Sequence, residues 1–150
     1  MAFTNHNIII FSSIDWSTHW QLHHQLTTSL VSTGNRVLFV DNTGIRSVNI
    51  DDIWRLRERV INWKKGVHGF FDISNNVTRY SPLLLPFPYS KLLLLFNKKI
   101  FNFSISRWMK ASNFSNPIII SFLPTPLIQS AINSIDPKLT VYYCANNMAE

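Results

Sequence analysis

Short, mostly apolar runs alternate along this chain with longer stretches whose apolar residues recur at helical spacing. The clearest runs lie in NIIIFSS, RVLFVDN and NPIIISFLP, residues 7–13, 36–42 and 116–124, and the segments NVTRYSP and KLTVYYC, residues 76–82 and 138–144, are predicted as a short third strand and a last strand. Nearly continuous apolar runs of this length are typical of strands buried on both faces of a parallel sheet. Because helical segments separate them, we predict an α/β fold: a Rossmann-like open parallel sheet with helices on both faces.

Helical spacing is found in four segments between the strands. They cover residues 18–34, 48–66, 89–112 and 125–135. The first is expected to stop at Gly34, and the last to begin with Thr125 as its cap and Pro126 in its first turn. The second has acidic residues in its first turn and lysines in its last, as the helix dipole favours.

Composition indicates one folded domain with an anionic partner. Hydrophobic residues make up 46% of the 150 residues, which is too many for a disordered chain, and no repeat or linker is visible. The net charge of +6 favours anionic partners, namely phosphates, nucleic acid or acidic lipid. Cys144 is the single cysteine and residues 1–11 do not resemble a signal peptide, so a cytoplasmic location is expected. Prolines interrupt the greasiest region, residues 81–101, so no membrane-spanning helix is predicted.

A pair of histidines on the first predicted helix raises the question of a metal site. His19 and His23 are four residues apart, but Trp20 stands where a zinc peptidase has its glutamate, and no third ligand has the required spacing. No metal is therefore expected. Of His23 and His24, one is expected to pack or cap and the other to be solvated, while Trp20 is expected on the core face of the helix.

The polar residues that follow each strand are the candidates for ligand binding. In open α/β sheets, ligands bind beyond the carboxyl ends of the strands. Asp41 ends the second strand, where a ribose-binding acid often lies, but the first turn reads SSIDWS and lacks the glycines that admit a pyrophosphate. No cofactor is expected, and a nucleotide-dependent oxidoreductase remains a weaker alternative. Trp16, beside Asp15 in that turn, offers a flat ring that could stack on a sugar.

The third predicted helix, residues 89–112, combines apolar and basic residues. Leu92, Phe96, Ile100 and Phe103 follow helical spacing. The basic residues of the segment are Lys91, Lys98, Lys99, Arg107 and Lys110. Two interpretations stay open: a core helix with a solvated basic face, or attachment to an anionic membrane surface. Nucleic acid is not an expected partner, because the basic residues are not interleaved with aromatics as in known modules.

Several segments taken in order resemble one enzyme family. FSSIDWSTHWQLHHQL, RVLFVDNTGIRS, SPLLLPFPYS, LPTPL and DPKLTVYYCANNMAE are similar to the N-terminal domain of bacterial GT-B glycosyltransferases of the family 4 type. That family includes enzymes of surface-polysaccharide and teichuronic-acid assembly. The resemblance extends over almost the whole chain, and its specificity lies in the ordered set.

The resemblance implies an acceptor-binding role. Such enzymes have two Rossmann-like domains around a cleft, and many act on lipid-linked acceptors at the inner membrane face without a metal. Residues 1–150 would be the acceptor-side domain, truncated and inactive alone, with the domain that binds the nucleotide-sugar absent. A non-catalytic sugar-binding or partner module is the alternative. The residues expected to contact the acceptor are Asp15, Trp16, His19, Asn42, Thr43, Gly44, Thr125, Asn146 and Asn147.

One departure from the family pattern affects the last predicted strand. Related enzymes often have acidic residues in the segment that here reads YYCANN. Asn146 and Asn147 keep the hydrogen-bonding shape of those acids but lack their charge. We therefore expect weakened acceptor orientation if the acids serve that purpose.

Overall fold

The computed structural model describes residues 3–43, 57, 61, 69–85 and 90–144. Within them lie six strands: β1 (Asn7–Phe11), β2 (Arg36–Val40), β3 (Phe70–Ser74), β4 (Val77–Tyr80), β5 (Ile118–Ser121) and β6 (Leu139–Tyr142). The helices are α1 (Leu22–Ser32), α2 (Lys91–Ala111) and α3 (Pro126–Ile135). The helix predicted over residues 48–66 lies outside the described residues except for Arg57 and Ile61, which are helical.

The strands form one sheet in the order β3-β4-β2-β1-β5-β6. Every pairing is parallel except that of β3 with β4, which is antiparallel. From β1 the chain builds outward through β2 and β4, then returns to the other side of β1 for β5 and β6. The mixed α/β fold with a mostly parallel sheet is therefore confirmed.

Apolar side chains of the strands pack against helices on both faces of this sheet. Residues 8–11 of β1 are at most 1% exposed, and successive side chains point to opposite faces. Ile9 and Phe11 belong to a cluster with Phe101 of α2 and residues of α3. Ile8 and Ile10 belong to a second cluster, against which the apolar side of α1 packs. A sheet covered on both faces explains why its strands lack polar alternation.

The edge strand β3 is the element that the sequence did not reveal. Its segment, FFDIS, forms a hairpin with β4, and its register shifts between Asp72 and Ser74. Only Phe70 of this strand is buried, while residues 72–74 are exposed. An edge strand with so little buried surface leaves no continuous apolar run to recognise.

Local backbone chemistry sets the helix ends. Thr125 Oγ1 accepts the backbone N–H of Ile128 at 3.3 Å and Pro126 begins α3, as predicted. Gly34 follows α1 with φ of 85°, a conformation that favours glycine. α1 itself begins at Leu22 rather than residue 18, because Asp15 O accepts both the N–H and the hydroxyl of Thr18 in a preceding turn.

Candidate functional site at the carboxyl ends of the strands

The loops that leave the carboxyl ends of the parallel strands meet at one edge of the sheet. The residues at this edge are 12–16 after β1, 41–43 after β2, 81 after β4, 122–125 after β5 and 143 after β6. The backbone ties them together: Ser12 N donates to Val40 O, Phe122 N to Phe11 O and Tyr143 N to Ser121 O. Because β1 lies between β2 and β5, the strand order reverses beside the β1 loop, and such a reversal opens a crevice in α/β sheets.

Asp41, at the end of β2, is held in a buried ion pair. Its side chain is 1% exposed, and its Oδ2 accepts Arg79 Nε at 2.9 Å and a terminal guanidinium nitrogen at 2.7 Å. Its Oδ1 accepts the backbone N–H of Trp16 at 2.8 Å. The carboxylate thus joins the loops after β1 and β2 to the neighbouring strand β4.

The environment of Asp41 determines what it can bind. Burial raises the pKa of Asp41, and the hydrogen bonds and positive charge of Arg79 oppose that rise. All three hydrogen bonds come from N–H donors, so the geometry is that of an ionised carboxylate. Since the carboxylate is 1% exposed and each oxygen already accepts a hydrogen bond from the protein, Asp41 is not arranged to receive the hydroxyls of a cofactor ribose. Asp41 is a structural residue here, not merely a turn residue.

Ser13 and His23 form a second polar pair, beside the reversal of strand order. Ser13 Oγ lies 3.0 Å from His23 Nε2, and the His23 ring lies 4.0 Å from that of Phe122, which follows β5. His23 is 8% exposed, and its Nδ1 has no hydrogen-bond partner among the described residues. Burial, and secondly the nearby His24 ring, lower the pKa of His23. A half-buried Ser13 hydroxyl is thus held by a buried, neutral imidazole beside the boundary between β1 and β5.

His24 fixes the start of α1 and the loop before it. Its Nδ1 accepts the N–H of Gln21 at 3.1 Å, so its Nε2 carries the proton and donates to Trp16 O at 3.0 Å. With His24 1% exposed and His23 also buried, the expectation that one of the two is solvated is wrong. Because α1 begins at Leu22, His23 and His24 lie in its first turn, where both rings are buried.

Trp16 and Trp20 both lie in the loop between β1 and α1. Trp20 is 62% exposed and stacks on His24 with a centroid distance of 5.0 Å, so its predicted position in the core is wrong. Trp16 is half-buried, and its ring packs edge-on against Phe39 and His24. The reason is the late start of α1: Trp20 lies in the loop rather than on the core face. Trp20 offers the more open ring at this edge.

The other predicted acceptor residues are distributed along the same edge. Asp15 and Asn42 are half-buried, whereas His19 is exposed. Thr43 is 4% exposed, and its hydroxyl has no partner within the described ranges. Thr125 is half-buried and its hydroxyl caps α3. Gly44, Asn146 and Asn147 lie outside the described residues.

The predicted membrane-surface residues lie on α2 together with exposed apolar side chains. Lys91, Lys99, Arg107 and Lys110 are exposed and Lys98 is half-buried. Leu92 is 78% and Phe103 is 64% exposed, and Phe96 and Ile100 are exposed too. These four apolar residues do not face the core, since α2 packs on the sheet through Phe101 and Ile105 instead.

The sequence analysis predicted neither the ion pair of Arg79 with Asp41 nor the contact between Ser13 and His23. Arg79 stands in β4 opposite Phe39 of β2, and only the strand pairing brings it to Asp41. Arg79 is 38 residues from Asp41, whereas Ser13 and His23 are 10 residues apart across the loop that joins β1 to α1, and neither spacing is by itself a signal of contact. A lone arginine in a strand of a largely buried sheet is a weak indication that a buried acid lies nearby.

The His23 environment predicts a specific pH dependence of stability. The folded chain resists protonation of His23, whereas the unfolded chain binds a proton near the ordinary pKa of 6.5. The free energy of unfolding should therefore fall as the pH drops below 6.5. In urea unfolding across this range, His23→Gln should weaken the dependence, and His19→Gln at an exposed position should leave it unchanged. Equal pH dependence in wild type and His23→Gln would contradict the account.

The comparisons with known proteins do not assign the chain to a family. No family model, no curated protein and no solved structure matches the chain. In the part of the chain that the structure describes, no three His, Cys, Asp or Glu side chains are grouped so as to hold a metal ion. None of the helices described there is long and apolar enough to cross a membrane.

Proposed function

We propose that this chain is the acceptor-side domain of a GT-B glycosyltransferase and that it binds a sugar acceptor at the carboxyl ends of β1 and β5. The five parallel strands lie side by side in the order β4-β2-β1-β5-β6. If these five alone are numbered along the chain, the order becomes 3-2-1-4-5. Rossmann-like doubly wound sheets share this order and bind ligands where it reverses. The ordered resemblance to the family 4 type supports the same proposal.

The Ser13–His23 pair, placed beside that reversal, is the observation that carries the proposal. The Ser13 hydroxyl is half-buried and can exchange hydrogen bonds with a sugar hydroxyl, while the buried His23 ring, bonded to it, holds that hydroxyl in place. Trp20 is exposed beside this edge, and a flat aromatic face is suited to stacking on a sugar ring. We therefore assign the stacking role to Trp20 in place of Trp16, whose ring packs against Phe39.

Transfer itself would need a donor-binding domain in addition to these residues. In the proposed reaction an acceptor hydroxyl attacks the anomeric carbon of the donor, the bond to the nucleotide breaks, and the hydroxyl proton is lost to a base or to solvent. Residues of this chain would hold and orient the acceptor. The oxidoreductase alternative is less favoured, because the oxygens of Asp41 are occupied by Arg79 and Trp16.

A ligand screen by saturation-transfer NMR tests the proposal. The purified chain is mixed separately with octyl glucoside, octyl galactoside and octyl N-acetylglucosaminide, each below its micelle-forming concentration, and with NAD. At least one glycoside should show saturation of its sugar-ring protons, and NAD should show none. Ser13→Ala should weaken glycoside binding about 10-fold, the effect of losing one hydrogen bond of about 1.4 kcal/mol.

Two variants keep this test specific. Trp20→Ala removes the exposed ring and should weaken binding by a similar factor without unfolding the chain. Ser32→Ala, an exposed serine at the end of α1, should leave binding unchanged. Binding of NAD in the absence of glycoside binding would contradict the proposal and favour the oxidoreductase. Glycoside binding that Ser13→Ala and Trp20→Ala leave intact would contradict the assigned site.

A further inference from the structure

We propose that α2 docks this protein on an anionic lipid bilayer, with its first turns inserted among the acyl chains and its basic residues against the headgroups. The proposal does not rest on the acceptor-binding role. It rests on the side of α2 that faces away from the sheet, here called the outer face. Its apolar members are Leu92, Leu95, Phe96, Ile100 and Phe103, and its basic members are Lys99, Arg107 and Lys110.

The exposure of the outer face is a consequence of how α2 packs. Phe101 and Ile105 are fully buried in the core cluster, and Asn97 bonds both the N–H and the carbonyl of Leu85. These contacts fix the rotation of the helix about its axis. Residues two positions from Phe101 on either side, such as Lys99 and Phe103, are thereby directed outward, so their exposure is set by the fold.

Apolar side chains of this size are costly to leave in water, and the outer face concentrates them. Leu92 is 78%, Leu95 55%, Phe96 49% and Phe103 64% exposed, all within the first four turns of one helix. Single exposed apolar residues are ordinary, but a contiguous set marks an interaction surface. Interfacial helices have this combination of large apolar side chains and flanking lysine or arginine.

Charge decides between the occupants of the outer face. Residues 91–111 contain five basic side chains and no acidic one. Pairing the outer faces of two copies would bring like charges together, which disfavours a second copy of the chain. An anionic bilayer supplies both an apolar interior for the leucines and phenylalanines and negative headgroups for Lys99, Arg107 and Lys110.

Vesicle co-sedimentation tests this docking surface. The chain is mixed with vesicles of phosphatidylcholine containing phosphatidylglycerol, and separately with pure phosphatidylcholine vesicles, at low and at high salt. We expect strong binding to the anionic vesicles at low salt, weakened by high salt, and little binding to the neutral ones. Absence of binding to the anionic vesicles would overturn the proposal.

Variants identify the face. The triple change Leu92→Ser, Phe96→Ser and Phe103→Ser should weaken binding at least about 100-fold, since it removes the inserting side chains. Leu139→Ser, at an exposed leucine of β6, should have no effect. Circular dichroism should show all variants folded, because the changed residues are exposed.

A second pair of variants isolates the electrostatic contribution. Arg107→Gln should weaken binding about fivefold, the effect of one basic residue near an anionic surface, whereas Lys138→Gln, outside α2, should not. Sedimentation analysis of the free chain should show a monomer. Self-association abolished by the serine changes would assign the outer face to a second copy and overturn the lipid proposal.

Discussion

Replacing Arg79 by methionine is expected to lower the free energy of unfolding by about 3–5 kcal/mol at neutral pH. The change leaves the Asp41 carboxylate, which is 1% exposed, without its cationic partner. A buried charge without a counterion is far more costly than a missing surface ion pair. Urea unfolding of wild type and variant measures the difference.

The pH dependence of the Arg79→Met variant gives a sharper test of the same pair. Burial raises the pKa of Asp41 and Arg79 opposes the rise, so removing Arg79 should raise that pKa further. A raised carboxyl pKa means that the folded state binds a proton more tightly than the unfolded state does. The destabilisation caused by the unpaired carboxylate is therefore complete above the folded-state pKa and is relieved as the pH falls through it. The destabilisation should therefore shrink on acidification.

Two controls accompany the Arg79 change. The double variant Asp41→Asn with Arg79→Met removes the uncompensated charge and should be more stable than Arg79→Met alone. Arg107→Met, at an exposed position of α2, should change stability by less than about 0.5 kcal/mol. If Arg79→Met cost no more than Arg107→Met, the ion pair would not hold the loops together as described.

Phe101→Ala should also lower the free energy of unfolding by about 3–5 kcal/mol. Phe101 is fully buried between the sheet and α2, with its ring 6.2 Å from that of Phe11 and 5.8 Å from that of Tyr80. Truncation removes this contact area and leaves a cavity that a close-packed core fills only in part.

Phe103→Ala is the matched control for Phe101→Ala. It makes the same chemical change two residues further along α2, where the side chain is 64% exposed. Its effect on unfolding should stay within about 0.5 kcal/mol. Comparable losses from the two substitutions would show that α2 is rotated relative to its described packing, and would remove the outer face on which lipid docking depends.

The central parallel strands and the three described helices were predictable because each has a strong local signal. Continuous apolar runs mark β1, β2 and β5, and the Thr125–Pro126 pair marks the start of α3. The core-facing side of α2 was not predictable, because apolar residues lie all around its first turns and periodicity alone does not choose between them. Only the packing of Phe101 and Ile105 against the sheet resolves the choice.

The candidate site was predictable in position but not in detail. The rule that ligands bind beyond carboxyl ends directs attention to the loop after β1 from sequence alone. The Asp41–Arg79 contact joins residues 38 positions apart, and the Ser13–His23 contact depends on how the loop between β1 and α1 folds, so no spacing reveals either. Trp20 was misplaced because the turn at Asp15 delays the start of α1 by four residues relative to residue 18.

Chemical-shift mapping tests the central claim most directly. The amide spectrum of the isotope-labelled chain is recorded during titration with the octyl glycoside that binds best. The account predicts shifts for residues at the carboxyl ends of the strands, such as Ser13, Thr43 and Phe122. Shifts confined to the opposite end, where Asn5 and Lys138 line a surface depression, would contradict it.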